Sequence, residues 1–111
     1  MSDCLFCSIA AGEIPADVVV ETDDVVAFND INPAAPTHVL VIPRRHVGSA
    51  EDLDAGDAAL LAALFDVAAQ VGRGIEGGWR LVTNVGADAG QSVFHLHFHV
   101  LGGRLLGWPP G

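Results

Sequence analysis

The sequence predicts an α+β domain in which a largely antiparallel sheet packs against one long helix. β-branched runs come as a pair around turn residues, one segment has helical apolar periodicity, and further β-branched runs follow it. Strands first, a helix next and strands again are typical of α+β domains. At 111 residues, we expect 1–111 to form one domain with an irregular C-terminal arm at 102–111.

The first part of the chain is predicted to hold one short helix and three strands. Cys4 to Ala11 is predicted to be helical, because a glycine and an Ile-Pro pair follow it. Val18 to Glu21 and Val25 to Asn29 flank two aspartates, which predicts a hairpin. A proline-rich loop, Asp30 to Pro36, then leads into a third strand at His38 to Ile42.

The second part is predicted to hold the long helix and the last two strands. Asp57 is a candidate N-cap for a helix that runs to about Gly72. Arg80 to Val85 and Val93 to Leu101 are predicted to be the fourth and fifth strands. The apolar face of the helix is wide enough to contact both a sheet and a partner subunit; it comprises Leu60, Leu64, Val67 and Val71, with Leu61, Phe65 and Ala68 beside them.

Charge and hydropathy exclude several classes of partner. Fourteen carboxylates against five arginines give a net charge of −9, which argues against a broad nucleic-acid-binding face. A small phosphorylated ligand remains compatible with this charge if a local site supplies the donors. The longest apolar run, Ala58 to Phe65, is shorter than the roughly 20 residues of a membrane span. The start of the chain lacks the pattern of a secretory leader, so we expect a cytoplasmic protein with no membrane partner.

Three histidines alternate with apolar residues in the predicted fifth strand. In an extended strand their imidazoles share one face, with His95 and His99 about 13 Å apart, too far to ligate one metal. One interpretation is a polar strand face that happens to use histidine. The other is chemistry on phosphorus, because imidazole can act at neutral pH as acid, base or nucleophile. The pattern consists of His95, His97 and His99, with Leu96, Phe98 and Val100 pointing into the core.

The segment from His95 to Leu101 resembles the His-φ-His-φ-His-φ-φ signature of the histidine triad (HIT) superfamily, where φ is apolar. The resemblance covers nearly the whole chain and points to the Hint branch, the histidine triad nucleotide-binding proteins. Further matching segments are Asp30 to His38, Val41 to His46, Asn84 to Gly86, Gly90 to Ser92, Leu101 to Arg104 and Trp108 to Gly111.

The resemblance implies a HIT-like fold, an activity and an assembly. The fold is a five-stranded antiparallel sheet with one long and one short helix, and a homodimer joins two such sheets. The activity is hydrolysis of purine nucleoside phosphoramidates and aminoacyl-adenylate-type nucleotides, releasing a nucleoside monophosphate through a nucleotidyl-histidine intermediate. The resemblance gives Trp108 a contact with the partner subunit; packing within its own subunit is the alternative. No organic cofactor is implied.

Two alternatives to this activity come from different classes. One is hydrolysis of dinucleoside polyphosphates, a reaction of a related HIT branch that the C-terminal Gly-Gly-Arg and Trp-Pro-Pro segments disfavour. Transferase relatives resemble His-x-His-x-Gln, so His99 favours hydrolysis over transfer. The other alternative is a nucleotide-binding interaction module whose turnover is incidental.

The resemblance also assigns roles to individual residues. His97 matches the nucleophile that attacks the α-phosphorus, and His99 and His38 match groups that contact phosphate and orient it. Ser92 matches a hydroxyl beside the leaving group, and Asn84 a contact on the phosphate side.

Asp30 matches the carboxylate that binds the ribose hydroxyls, since its two oxygens suit a vicinal diol; taken alone, it could equally be an Asx-turn residue. Gly90, Gln91 and Ser92 can turn sharply and present backbone N–H groups to phosphate. An apolar slot for the base could be formed by Ile31 with Val25 and Phe28, although each could equally belong to the core.

Cys4 and Cys7 form a lone C-x-x-C motif, which could be a zinc-ligand pair, a redox pair or two buried thiols. A disulfide is disfavoured in a reducing cytoplasm. If phosphate chemistry uses the other three histidines, His46 and His95 complete a Cys2His2 set suited to structural zinc. The resemblance implies the same site, because many bacterial HIT proteins bind zinc through these positions. A metal-free protein with buried thiols is the alternative.

Overall fold

The computed structural model describes residues 3–111, which form a five-stranded antiparallel sheet with a helix on each face. The strand order is β1-β2-β3-β5-β4, so β1 and β4 are the edges. The α+β fold class is therefore confirmed. The elements are α1 (Leu5–Ala10), β1 (Val18–Glu21), β2 (Val25–Asn29), β3 (Thr37–Pro43), α2 (Ala58–Gly72), β4 (Trp79–Val82) and β5 (Phe98–Gly102), with 3-10 turns at Ala50–Asp52, Ala55–Asp57 and Ala87–Ala89.

The central strands β2 and β3 are buried on both sides, and alternate residues face different helices. Val39 and Val41 pack with α2, whereas Leu40 and Ile42 pack with Phe6 of α1. This alternation follows from the two-residue period of a strand. The longer helix α2 covers one face of the sheet, and the six-residue α1 lies against the other.

Helix α2 buries one side and leaves the other exposed. Leu64, Val67 and Ala68 are buried against the sheet, while Leu61 and Phe65 are 45% and 53% exposed. By length and composition alone, the 18-residue segment Ala55–Gly72 could also cross a membrane. Core helices of globular domains pass the same test, and here the buried side packs on the sheet, so the segment gives no indication of a membrane.

The last two strands differ from the sequence prediction. β5 begins at Phe98 instead of Val93, and β4 ends at Val82 instead of Val85. The backbone between 93 and 97 is hydrogen-bonded to loops: the N–H of Leu96 donates to the carbonyl of Val47 (2.6 Å). Because Val82 pairs with His99, β4 loses its partner where β5 bends away.

The bend overturns the prediction that three imidazoles share one strand face. Only His99 lies in β5, and His95 is completely buried. The prediction that Leu96, Phe98 and Val100 enter the core is confirmed.

Replacing Gly72 with alanine is expected to destabilise the protein. A Cβ at this position would overlap the indole of Trp79, which packs against the core. Overpacking of this kind costs about 1–3 kcal/mol of unfolding free energy. Urea denaturation of Gly72→Ala measures the effect, and Gly74→Ala is the matched control because its Cβ would lie 3.5 Å from its nearest neighbour. Equal stability of the two variants would contradict the proposed close packing of α2 on β4.

Candidate active site and metal centre

A cleft of about 320 Å³ lies beside α1 on the face of the sheet away from α2. Apolar side chains of α1 and the strands form most of its wall, and polar groups gather at one end. The apolar residues include Leu5, Phe6, Ile9, Phe28, Leu40 and Val93, and the polar end has Asp30, Ser92, His97 and His99.

A hydrogen bond fixes which tautomer the neutral ring of His97 adopts. Its Nδ1 lies 2.8 Å from the carbonyl oxygen of His95, an acceptor that requires Nδ1 to carry the proton. In the neutral ring Nε2 then keeps its lone pair. The backbone is held as well, because the hydroxyl of Thr83 donates to the carbonyl of His97 (3.0 Å). His97 is therefore a fixed imidazole whose Nε2 can act as a nucleophile or base.

A second chain of hydrogen bonds fixes the protons on His38 and His99. The N–H of Ala34 donates to Nδ1 of His38 (2.9 Å), so a neutral His38 carries its proton on Nε2. That nitrogen lies 2.9 Å from Nδ1 of His99 and donates to it. His99 must then carry its own proton on Nε2, which has no hydrogen-bond partner within residues 3–111 and is buried.

The unpaired N–H of His99 indicates a place where a ligand could accept a hydrogen bond. A buried donor without an acceptor costs about 1–3 kcal/mol, so such groups are rare in native proteins. The ring of His99 lies 4.9 Å from that of His97, and both line the cleft. An anionic ligand at this end of the cleft would satisfy the donor beside the lone pair of His97.

Burial keeps both supporting histidines neutral near physiological pH. Desolvation, with repulsion from His97 and His38, lowers the pKa of His99 to about 4. Desolvation also lowers the pKa of His38, and the nearby carboxylate of Asp30 partly opposes this shift. The site therefore offers neutral donors to an anion instead of a fixed positive charge.

Asp30 and Ile31 lie at the mouth of the cleft. One carboxylate oxygen of Asp30 accepts from the N–H of Asn32 (2.9 Å), and the other lies 3.4 Å from Nε2 of His38. Asp30 is thus both an Asx-turn residue and a cleft residue, and Ile31 is 92% exposed at the rim. Of the other candidates for a base slot, Phe28 lines the cleft, whereas Val25 is completely buried in the α2-side core.

Three of the residues predicted to bind nucleotide do not line this cleft. Asn84 lies in a separate groove next to Trp108. Gly90 is exposed, lies next to the side chain of Asn84 and has a φ of 101°. The side chain of Gln91 is buried and fully used. Its amide nitrogen donates to the carbonyls of Gly48 and Val93, and its oxygen accepts from the N–H of Gly86. Gln91 thus braces the loop that carries Ser92.

Sequence reasoning missed the wall that α1 contributes. Leu5, Phe6 and Ile9 line the cleft, and the ring of Phe6 meets that of His97 edge-on at 5.0 Å. Apolar residues in a six-residue helix carry no periodic signal strong enough to show which of them faces a site. The usable signal was the C-x-x-C motif, because a shared metal centre would place α1 beside the last histidines.

Cys4, Cys7, His46 and His95 come together at the start of α1, and their four ligand atoms lie within 4.8 Å of one another. Nδ1 of His95 lies 3.4 Å from each sulfur and 3.3 Å from Nδ1 of His46. Tetrahedral zinc with ordinary bond lengths holds such atoms about 3.3–3.8 Å apart. The N–H at Nε2 of His95 donates to the carbonyl of Pro43 (2.8 Å), which leaves Nδ1 as a lone pair. The cluster is therefore compatible with zinc binding.

Asp30, His38 and His99 form a second cluster of possible metal ligands, but its hydrogen bonds disfavour a metal. A metal on Nε2 of His38 would place the remaining proton on Nδ1, where the N–H of Ala34 already points. The two N–H groups would then oppose each other. The proton pattern thus favours a metal at the Cys4, Cys7, His46 and His95 cluster and disfavours one at the second cluster.

The protein is expected to become less stable as pH falls, because desolvation in the folded protein favours the neutral form of His99. Its pKa is about 4 in the folded protein against an ordinary value of 6.5, so between these values the unfolded chain binds a proton that the folded one does not. Unfolding free energy is therefore lost as pH falls through this interval. The urea midpoint of unfolding is measured at about pH 7 and about pH 5 with the same free zinc concentration. Between these two values it should decrease less for His99→Asn than for the wild type. Equal drops would exclude this contribution.

Comparison with known proteins identifies the family to which this chain is similar. The HIT domain profile matches residues 11–106. The crystal structure of a HIT family hydrolase from Legionella pneumophila superposes with a TM-score of 0.94 at 49% identity, over 98% of this chain and all of that one (100%). An uncharacterised HIT-like protein of Synechocystis is 48% identical, covering 98% of this chain and 97% of its own.

A maize relative bears on the metal centre. The 14 kDa zinc-binding protein of Zea mays is 45% identical, over 99% of this chain and 89% of its own length. The profile match, the similarity over whole chains and the shared fold all assign the chain to the same family. This protein is a member of the HIT family.

Proposed function

We propose that this protein hydrolyses purine nucleoside phosphoramidates and aminoacyl-adenylate-type nucleotides, releasing a nucleoside monophosphate. The observation that supports this most directly is the pairing of two rings in the cleft. His97 offers an unprotonated Nε2, and His99 beside it offers a buried N–H without a partner. A nucleophile next to an anion donor is the arrangement that attack on a phosphoryl group needs.

The reaction would proceed in two displacements at phosphorus. Nε2 of His97 attacks the α-phosphorus, and the bond from phosphorus to the leaving amine or carboxylate breaks with its electron pair. A leaving amine takes up one proton from solvent on the side of Ser92, whereas a leaving carboxylate departs as the anion. Water then attacks the same phosphorus, the bond to Nε2 breaks with its electron pair returning to the ring, and the proton that water loses passes to solvent. The N–H of His99 binds a phosphoryl oxygen throughout, and His38 holds that N–H in place by fixing the His99 tautomer.

The rest of the cleft fits a nucleoside. The apolar wall suits a purine face, and the carboxylate of Asp30 at the mouth suits the ribose hydroxyls. The net charge of −9 is no obstacle, because ring and backbone N–H groups bind phosphate oxygens without a cation. In this proposal Asn84, Gly90 and Gln91 act from outside the cleft. Gln91 holds the Ser92 loop, Asn84 lies in the groove with Trp108, and Gly90 lies next to Asn84.

The Cys4, Cys7, His46 and His95 centre is proposed to hold structural zinc. Four protein ligands leave no open position for substrate, as in closed structural sites. Zinc would supply cross-links between α1, the segment after β3 and the bend before β5. Since the ligands lie outside the cleft, no step of the proposed reaction uses the metal.

A homodimer is proposed from three exposed features. β4 is an open edge of the sheet, α2 exposes Leu61 and Phe65, and Trp108 is 82% exposed with Arg80 5.9 Å from its ring. An unpaired strand edge beside apolar residues is suited to pairing with a second copy. Such pairing would place the Trp108 arm against the partner subunit.

Replacement of the nucleophile tests the proposal. His97→Ala should lower kcat/KM for adenosine 5′-phosphoramidate by about 10³-fold or more, because the covalent route is lost. Rapid acid-free quench of the wild type with labelled substrate should give an acid-labile nucleotidyl adduct on the peptide that contains His97. Binding of adenosine monophosphate should survive in the variant. Undiminished turnover in His97→Ala would refute the mechanism, and tight binding without turnover in the wild type would favour an interaction module.

Metal analysis tests the centre. Protein purified without chelator should contain about one zinc per chain, and Cys7→Ser should contain much less, since a tetrahedral site loses a thiolate. His38→Asn is the matched control: it removes a ligand of the second cluster and should keep its zinc. Plasma emission spectrometry gives both numbers. Wild-type protein with far less than one zinc would end the hypothesis.

A further inference from the structure

His95 is part of the metal centre and also contacts the proposed nucleophile, His97. Nδ1 of its ring belongs to the cluster with Cys4 and Cys7, and its backbone carbonyl accepts the 2.8 Å hydrogen bond from His97. We propose that metal bound at this centre sets the shape of the nucleotide cleft and the orientation of His97, so that zinc and nucleotide each raise the affinity for the other. The inference rests on the proposed function, for which it defines a regulatory input.

Helix α1 is the first connection between the centre and the cleft. Cys4 is its N-cap and Cys7 lies within it, while Leu5, Phe6 and Ile9 of the same helix line the cleft. A six-residue helix is too short to be stable alone, so its position depends on tertiary anchors. Two of those anchors are the proposed thiolate ligands. A change in their positions would move the apolar wall of the cleft.

Phe6 is the second connection, and it touches both histidines. Its ring, 5% exposed, meets His95 edge-on at 6.0 Å and His97 edge-on at 5.0 Å. It also meets Phe28, a further cleft residue, at 5.6 Å. Because closely packed interiors transmit displacements, a shift of His95 or α1 reaches His97 through this ring. Phe6 is therefore a positioning residue, and it has no part in bond making.

The centre has a physical reason to rearrange without its cation. Two sulfurs and two Nδ1 atoms face one another, and four of the separations that involve a nitrogen are 3.3–3.4 Å. A cation would bind these atoms together, and without it these contacts alone do not hold all four at such short range. The Nε2 end of His95 stays tied to the carbonyl of Pro43, so relaxation falls on α1, on the exposed His46 and on the bend before β5.

Equilibrium linkage tests the coupling without measuring turnover. Calorimetry gives the Kd of adenosine monophosphate for zinc-loaded and chelator-stripped protein. Competition with a chromophoric chelator gives the Kd of zinc with and without saturating nucleotide. We expect both Kd values to change in the same direction by one common factor, about fivefold or more, because linkage is reciprocal. Identical nucleotide Kd values for folded loaded and folded stripped protein would overturn the inference.

Two variants and a spectroscopic measurement sharpen the test. Phe6→Leu should reduce the coupling factor towards one, while Phe94→Leu, at a 58% exposed ring outside the cleft, should leave it unchanged. If the stripped protein unfolds, cobalt replaces zinc, and nucleotide should shift the d–d absorption bands in the wild type and much less in Phe6→Leu. Bands that stay unchanged in the wild type would overturn the inference.

The outcomes also separate this inference from the proposed function. A protein that binds no nucleotide refutes the function, and one that binds no metal refutes the centre. A protein that binds both independently refutes only the coupling.

Discussion

The hydrogen bond from Nδ1 of His97 to the carbonyl of His95 is the interaction on which the site depends. It selects the tautomer of His97, and with it the atom that can attack an electrophile. It also requires the backbone to bend before β5, because an extended strand could not bring a side chain back to the carbonyl two residues earlier. The same bend buries the ring of His95 against the cysteines. The proposed nucleophile and the proposed metal ligand therefore both depend on one bend of the backbone.

The site offers neutral donors to an anion in a strongly acidic chain. Burial lowers the pKa of His38 and His99, which removes charges that would otherwise offset the net −9. The neutral rings interact with an anion through oriented hydrogen bonds instead of charge. Each ring has one N–H group and one lone pair, and the N–H of His99 is the group left for a ligand. In the proposed reaction, a neutral donor would hold the product phosphate less tightly than a fixed cation, because hydrogen bonds from charged donors are stronger.

The fold was largely predictable from sequence, and the site only in part. β1 and β2 have the predicted bounds, because short β-branched runs between turn residues have few alternatives. The predicted start of β5 at Val93 was wrong. Apolar and polar residues alternate between Val93 and Leu101, and this pattern is the same whether or not the backbone bends. The bend depends on contacts with distant loops, such as that of Gln91 with Gly48, which local patterns do not record. Phe6 was missed for a related reason: its role depends on which way a short helix is turned.

The N–H of Ala34, a main-chain group, sets the direction of the hydrogen bonds that run through His38 to His99. Any of nineteen side chains at position 34 would preserve that amide, while proline alone would delete it. Pro33 stands one residue earlier and Pro36 two residues later, so the loop is already rich in the one residue type that the position cannot accept. The choice of which nitrogens of His38 and His99 carry protons is therefore insensitive to most substitutions at position 34, and only proline would remove the group that sets it.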